Sequence, residues 1–163
     1  MTKFPDFLPH LLSLEGTWDE ILNRLYTVFT LDFKSRTACH RGIAVIYDGR
    51  ILPDGQGKEE GFWHVVSRLD SSSRYREIDY RRAERLPWAR PLMESPPHIE
   101  ILVFDYFEGP KDKGIRRYIW LEKFDYVLIL QRKKNTFYWI TAFFVDGNRK
   151  RKDLRKKFEE RSQ

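Results

Sequence analysis

A single cysteine, Cys39, excludes an intramolecular disulfide and cannot by itself make a zinc site. Long apolar runs are missing as well. No segment approaches the ~20 apolar residues of a membrane span. Near the N-terminus Asp6 and Pro9 interrupt the only greasy stretch, and no charged-then-apolar signal pattern precedes it. The expectation is a cytoplasmic protein with no membrane partner. Also lacking are a Gly-rich phosphate loop, a serine nucleophile elbow and any Cys/His metal spacing. Glu59-Glu60-x-x-x-His64 could hold one side of a metal but has no third ligand at a diagnostic distance, so neither metal nor cofactor is expected. No internal repeat or low-complexity segment is found.

What is present is charge and aromatic surface. Lys plus Arg number 30 against 24 Asp plus Glu, a net charge of +6, and aromatics make up 15% of the 163 residues. A basic balance favours an anionic partner, most often nucleic acid, and aromatics among basic groups suit base stacking. The length fits one domain over 1–163, with a lead-in at 1–16, a helical half at 17–94, a sheet at 99–145 and a basic tail helix at 148–163.

The sheet is the clearest signal. Ile99 to Phe107, Ile115 to Leu121, Tyr126 to Leu130 and Phe137 to Val145 are rich in Ile, Val, Tyr, Phe and Trp. Their connections are too short for crossover helices, which predicts a four-stranded antiparallel meander. Tyr126-Val-Leu-Ile-Leu130 has no polar alternation, so it reads as a central strand covered on both sides. In the last strand strict alternation puts Phe137, Trp139, Thr141, Phe143 and Val145 on one face. One face is expected to carry the helices and the other to be partly open, aromatic and basic.

Ahead of the sheet, Thr17-x-x-Glu20 has the form of a capping box. Trp18, Ile21, Leu22, Leu25, Val28 and Phe29 then follow at helical spacing, predicting an amphipathic helix over 18–31. Ile43, Val45 and Tyr47 alternate as a short edge strand, with His40 and Arg41 read as exposed loop residues. Glu59 to Ser67 reads as a helix with Phe62, Val65 and Val66 inward and Glu60 and His64 on one face. A second helix, broken or kinked at Pro87, starts near Asp79 with Tyr80, Ala83 and Leu86 inward. The serine run 71–73 marks a loop. The fold class is therefore α+β: N-terminal helices on a four-stranded antiparallel meander, with a basic C-terminal helix.

One histidine, an arginine cluster and Thr141 suit RNA cleavage without metal. A ribose 2′-hydroxyl attacks the adjacent phosphorus, and the reaction asks for a proton acceptor, a donor and cations against the phosphorane. His64 can serve as base or acid with Glu60 orienting it. Arg82, Arg85 and Arg116 or Arg117 offer forked donors to phosphate. The candidate catalytic set is His64, Arg82, Arg85, Arg117 and Thr141. The candidate RNA contacts are Arg81, Arg116, Tyr118, Arg149, Lys150, Arg151 and Lys152. Against this stand plainer readings: a histidine packed beside Trp63, arginines paired with Glu84 or Asp79, and Thr141 filling a strand position.

Glu60-Gly-Phe-Trp-His64, Arg82-Ala-Glu-Arg85-Leu-Pro-Trp88, Arg117-Tyr-Ile-Trp-Leu121 leading into Phe124-Asp-Tyr-Val127, and Thr141-Ala-Phe together carry a family likeness over residues 17–158. In these the chain resembles the barnase–EndoU–colicin–RelE superfamily of metal-independent ribonucleases, in particular its phage-associated nuclease-like branch. The resemblance implies a toxin- or effector-like endoribonuclease leaving a 2′,3′-cyclic phosphate, with an antitoxin or immunity protein as partner beside RNA. The second histidine or glutamate that acts as partner acid or base in some members has no match here. The competing expectations are a non-catalytic nucleic-acid-binding module and a phage accessory interaction protein.

Overall fold

The computed structural model describes residues 4–70, 72–73, 76–110 and 114–162. The fold is α+β, with the expected meander embedded in a larger sheet. Strands β5 (Leu102–Phe107), β6 (Ile115–Leu121), β7 (Tyr126–Arg132) and β8 (Phe137–Phe144) pair antiparallel in chain order. Two earlier strands, β1 (Ala38–His40) and β2 (Ile43–Ile46), extend the sheet to six in the order β1-β2-β8-β7-β6-β5. The four-stranded expectation is corrected on that point. β2 pairs parallel to β8, so it is an interior strand and β1 is the edge. Local alternation marks a strand but carries no information on a partner this far along the chain.

The helical layer is built from α1 (Trp18–Phe29), α2 (Glu60–Val66), α3 (Tyr80–Glu84) and α4 (Leu86–Glu94). The capping box at the start of α1 is formed: Thr17 Oγ1 accepts the Glu20 N–H at 3.2 Å and the Thr17 N–H donates to Glu20 Oε2 at 3.1 Å. α1 passes into a wider turn over Thr30–Lys34, and Trp18 stays largely exposed rather than joining the apolar stripe. Asp79 caps α3, its carboxylate accepting the Arg82 N–H at 3.1 Å, and Pro87 sits in the first turn of α4. These helices bury Leu25, Phe29, Phe62, Val65, Leu86, Trp88 and Met93 against Ile119, Tyr126, Leu128 and Leu130 of the sheet. Tyr80, expected inward, is mostly exposed.

The opposite sheet face is partly covered. Helix α5 (Asn148–Glu159) lies over it, seating Leu154 and Phe158 on a second core of Phe104, Tyr118, Trp120, Val127 and Ile129. β7 is thus covered on both faces, with all of Tyr126 to Leu130 buried. The His40 expectation also needs correcting. Its side chain is buried in β1, Nδ1 lies 2.8 Å from the Met93 carbonyl, and the ring packs on Phe137. A hairpin of β3 (Ser67–Leu69) and β4 (Arg76–Ile78) follows directly from α2. Its residues give no apolar alternation, and no sequence signal announced it.

Candidate functional site

The site is organised by α2, which is held at both ends. At its start Glu59 is buried and accepts the Tyr26 hydroxyl at 2.6 Å and the Lys34 ammonium at 2.9 Å. Burial alone would raise the Glu59 carboxyl, but these two hydrogen bonds outweigh it and hold the group ionised. At its end the free carbonyls meet side chains from two other elements. Arg82 Nη1 donates to the His64 carbonyl at 3.1 Å and to the Ser67 carbonyl at 3.0 Å, while Thr141 Oγ1 donates to the His64 carbonyl at 3.2 Å. A cation on the last carbonyls of a helix also complements its macrodipole.

Thr141 reaches that position through a bulge. The pairing runs Ile129 with Thr141 and then Leu130 with Trp139, so Ile140 has no cross-strand partner. As a result Phe137, Trp139 and Ala142 face the helical core, while Phe143 and Val145 pack in the second core. The strict two-residue alternation expected for this strand breaks there.

His64, Arg82 and Thr141 therefore converge. They line one open cleft of about 360 Å³ together with Arg68, Arg76 and Tyr138. The His64 ring lies 3.9 Å from the Glu60 carboxylate. Burial first, and then the cation of Arg76, push the imidazole below its ordinary value, and Glu60 and Asp48 offset only part of this. The ring is neutral at pH 7 and able to accept a proton. Tyr138 is shifted the other way, upward, by burial and then by the Asp48 carboxylate, so it carries its proton. Arg76 also donates to Ser67 Oγ at 3.3 Å, which ties β4 to the end of α2.

Arg85 and Arg117 are elsewhere. Arg85 is buried, donates to Glu84 Oε1 at 2.6 Å and to the Arg81 carbonyl at 3.0 Å, and stacks on Phe144 at 4.5 Å. Arg117 pairs with Asp105 at 2.8 and 3.0 Å over the Phe137 ring, on the side of His40. Both are committed to protein groups, Arg117 through a two-pronged contact and Arg85 through Nη1, and neither lines the His64 cleft. Tyr118 is not an exposed stacking ring either. It is buried, it donates to Glu108, and Lys157 Nζ reaches its hydroxyl at 3.2 Å.

The remaining expected RNA contacts divide. Arg81, Arg116 and Lys150 line a second, larger cavity of about 720 Å³ between α5, α3 and the sheet. Arg151 is tied to Asp125 at 3.0 Å, and it borders a shallow groove with Lys152. Arg149 is exposed and makes no ion pair among the described residues.

Arg68, Arg76 and Tyr138 were missed in the sequence. Arg68 lies beyond the end of α2, in β3, so its placement, like the hairpin's, has no signal in the helical spacing. The placement of Arg76 depends on the unannounced hairpin. Tyr138 was hidden in a run of apolar strand residues. Among the described residues no cluster of His, Cys, Asp and Glu has the makeup of a metal site, and no helix is long and apolar enough to cross a membrane.

No family model, curated protein or solved structure matches the chain.

Proposed function

We propose that the protein is a metal-independent endoribonuclease whose active site is the His64 cleft. The observation that carries this reading is the lining of that cleft: one neutral imidazole, one protonated phenol and three guanidinium groups around a space open to solvent. Neutral His64 accepts the proton of a ribose 2′-hydroxyl as its oxygen attacks phosphorus. The P–O5′ bond breaks, and the Tyr138 hydroxyl supplies the proton the leaving oxygen needs, filling the role of acid that had no residue in the sequence reading. Arg68 and Arg76 meet the charge that builds on the phosphorane. Arg82 and Thr141 spend their contacts on the His64 carbonyl, so they act as positioning residues. The family likeness in Glu60–His64, Arg82–Trp88 and Thr141–Phe143 points to the same chemistry.

The test is cleavage of single-stranded RNA by the purified protein in excess EDTA, with the products analysed for a 2′,3′-cyclic phosphate. Cutting is expected under those conditions and is expected to fall ~10²–10⁴-fold in His64→Ala, the usual weight of general acid–base help. Dependence on Mg²⁺, or equal cutting of DNA without the 2′-hydroxyl, would overturn the mechanism. A second reading, nucleic-acid binding without cleavage, is favoured by the commitment of Arg82 and Thr141 to a backbone carbonyl. It predicts RNA binding by a wild-type protein that leaves the RNA intact.

A further inference from the structure

The cavity of about 720 Å³ has two walls of different chemistry. One is apolar, with Ile78, Ile129, Phe143 and Leu154 at its surface. The other is cationic: Arg82 and Lys157 there are paired with acids, and Arg81 lies over the Phe144 ring at 5.0 Å. Arg68, Arg81, Arg116 and Lys150 make no ion pair among the described residues, although Arg116 Nε donates to the Gln131 side chain at 3.3 Å. The acids on the same walls are partly engaged. Asp79 lies 3.5 Å from Arg82 and Glu108 lies 3.1 Å from Lys157; Asp153 lies 3.9 Å from that same Lys157, so Asp153 and Asp146 have no cation of their own among the described residues.

Six cations and four acids line the space, so it carries a net positive charge. The volume falls in the ~300–1,000 Å³ range of small-molecule sites, larger than a bare phosphate or sulfate needs. An occupant that satisfies both walls has a flat apolar body and a phosphate. Arg68 and Arg82 line this cavity and the His64 cleft alike, so the two spaces adjoin.

We propose that this cavity is a nucleotide subsite, seating one nucleotide of the RNA beside the phosphate held at His64. The base lies against Ile129, Phe143 and Leu154, and its phosphate meets Arg116, Lys150 and Arg81. The assignment as an RNA subsite rests on the ribonuclease reading, but occupancy of the cavity can be measured without any cleavage.

The probe is AMP, titrated into ¹³C-methyl-labelled full-length protein, with adenosine and inorganic phosphate as separate arms. AMP is expected to shift the methyl signals of Ile78, Ile129 and Leu154 at the cavity, and Arg116→Gln/Lys150→Gln is expected to weaken its binding at least tenfold. Adenosine and phosphate are each expected to bind at least tenfold more weakly than AMP, because each satisfies one wall. Equal binding of phosphate and AMP would reduce the site to a general anion patch and overturn the proposal. So would shifts confined to Ile140 of the His64 cleft, or an unchanged affinity in the double variant. The methyl map keeps the test decisive if that variant folds poorly. Wild-type protein that binds AMP in this cavity but leaves RNA intact would fail the ribonuclease reading while keeping the nucleotide site. Protein that cleaves RNA with no methyl shift at the cavity would do the reverse.

Discussion

Two histidines are pushed toward the neutral form for one shared reason and with different consequences. His40 is buried, and its Nδ1–H is spent on the Met93 carbonyl while Nε2 has no partner among the described residues. His64 is half-buried and faces a cleft. For both, burial lowers the folded-state value below that of the unfolded chain, so between the two values the unfolded state binds more protons. Stability is therefore full above ~6.5, the ordinary histidine value, and is lost as pH falls toward the folded-state value. Melting temperature is expected to drop between pH 7 and pH 5, and His40→Gln should flatten that slope whatever its stability at pH 8. The cleavage rate should follow the same sign: in acid it rises with pH, and the midpoint of that limb lies below ~6.5. Arg76→Gln removes the second-largest depressing influence on His64 and is expected to move this limb upward; an unmoved limb would take Arg76 out of the site's electrostatics. Arg85 belongs to the other kind of residue. Arg85→Met should lower the melting temperature while the rate per folded molecule stays at wild-type level, since its guanidinium lies on Glu84 and Phe144.

At the scale of elements the site is a matter of how the short helix α2 is gripped. Seven residues make too few internal hydrogen bonds to hold a helix in water. Glu59 anchors its start, and Arg82 with Thr141 its end. Arg82→Ala removes one donor from the Ser67 carbonyl and leaves the His64 carbonyl to Thr141 alone, an expected cost of about 1–3 kcal/mol, whereas Thr141→Val removes one hydrogen bond worth about 0.5–1.5 kcal/mol. Urea denaturation of both variants measures this. A negligible change in Arg82→Ala would show that the grip is not what holds α2. The parts of this arrangement differ in how far the sequence could show them. The capping box at Thr17 and Glu20, the helical faces around Phe62 and Ala83 and the covered strand Tyr126–Leu130 depend on neighbours in sequence, and periodicity reveals them. The pairing of β2 with β8, the β3–β4 hairpin and the bulge at Ile140 depend on partners remote in sequence or on one unpaired residue. The convergence of His64, Arg82 and Thr141 was legible as a set of residue types, while Arg85 and Arg117 carried the same signature and serve the core. A guanidinium looks identical in sequence whether it meets a phosphate or Glu84.

Across the whole molecule the charge of +6 is not spread evenly. The first turns of α5 carry Arg149, Lys150, Arg151 and Lys152 where the helix dipole favours anions, and no acid sits in its first turn. Of the four, Arg151 alone is relieved among the described residues, by Asp125 and the Asn148 side chain. The other three are exposed, and each opposes the dipole by up to ~0.3–1 kcal/mol. An RNA phosphate brought to this end of α5 would meet free cations and a favourable dipole together. Replacing Arg149, Lys150 and Lys152 by Gln should therefore hold or slightly raise the melting temperature. The same change should lower the magnitude of the log–log salt slope for single-stranded RNA by about 2, since each phosphate neutralised contributes ~0.7 to it. Arg151→Gln alone should change the slope less than Lys150→Gln alone, because Asp125 already neutralises Arg151 in the free protein. Fluorescence anisotropy across a salt series reads both slopes. Equal slopes for the two single variants would mean that the Asp125 pair opens on binding, and a slope untouched by the triple variant would place the RNA away from α5 altogether.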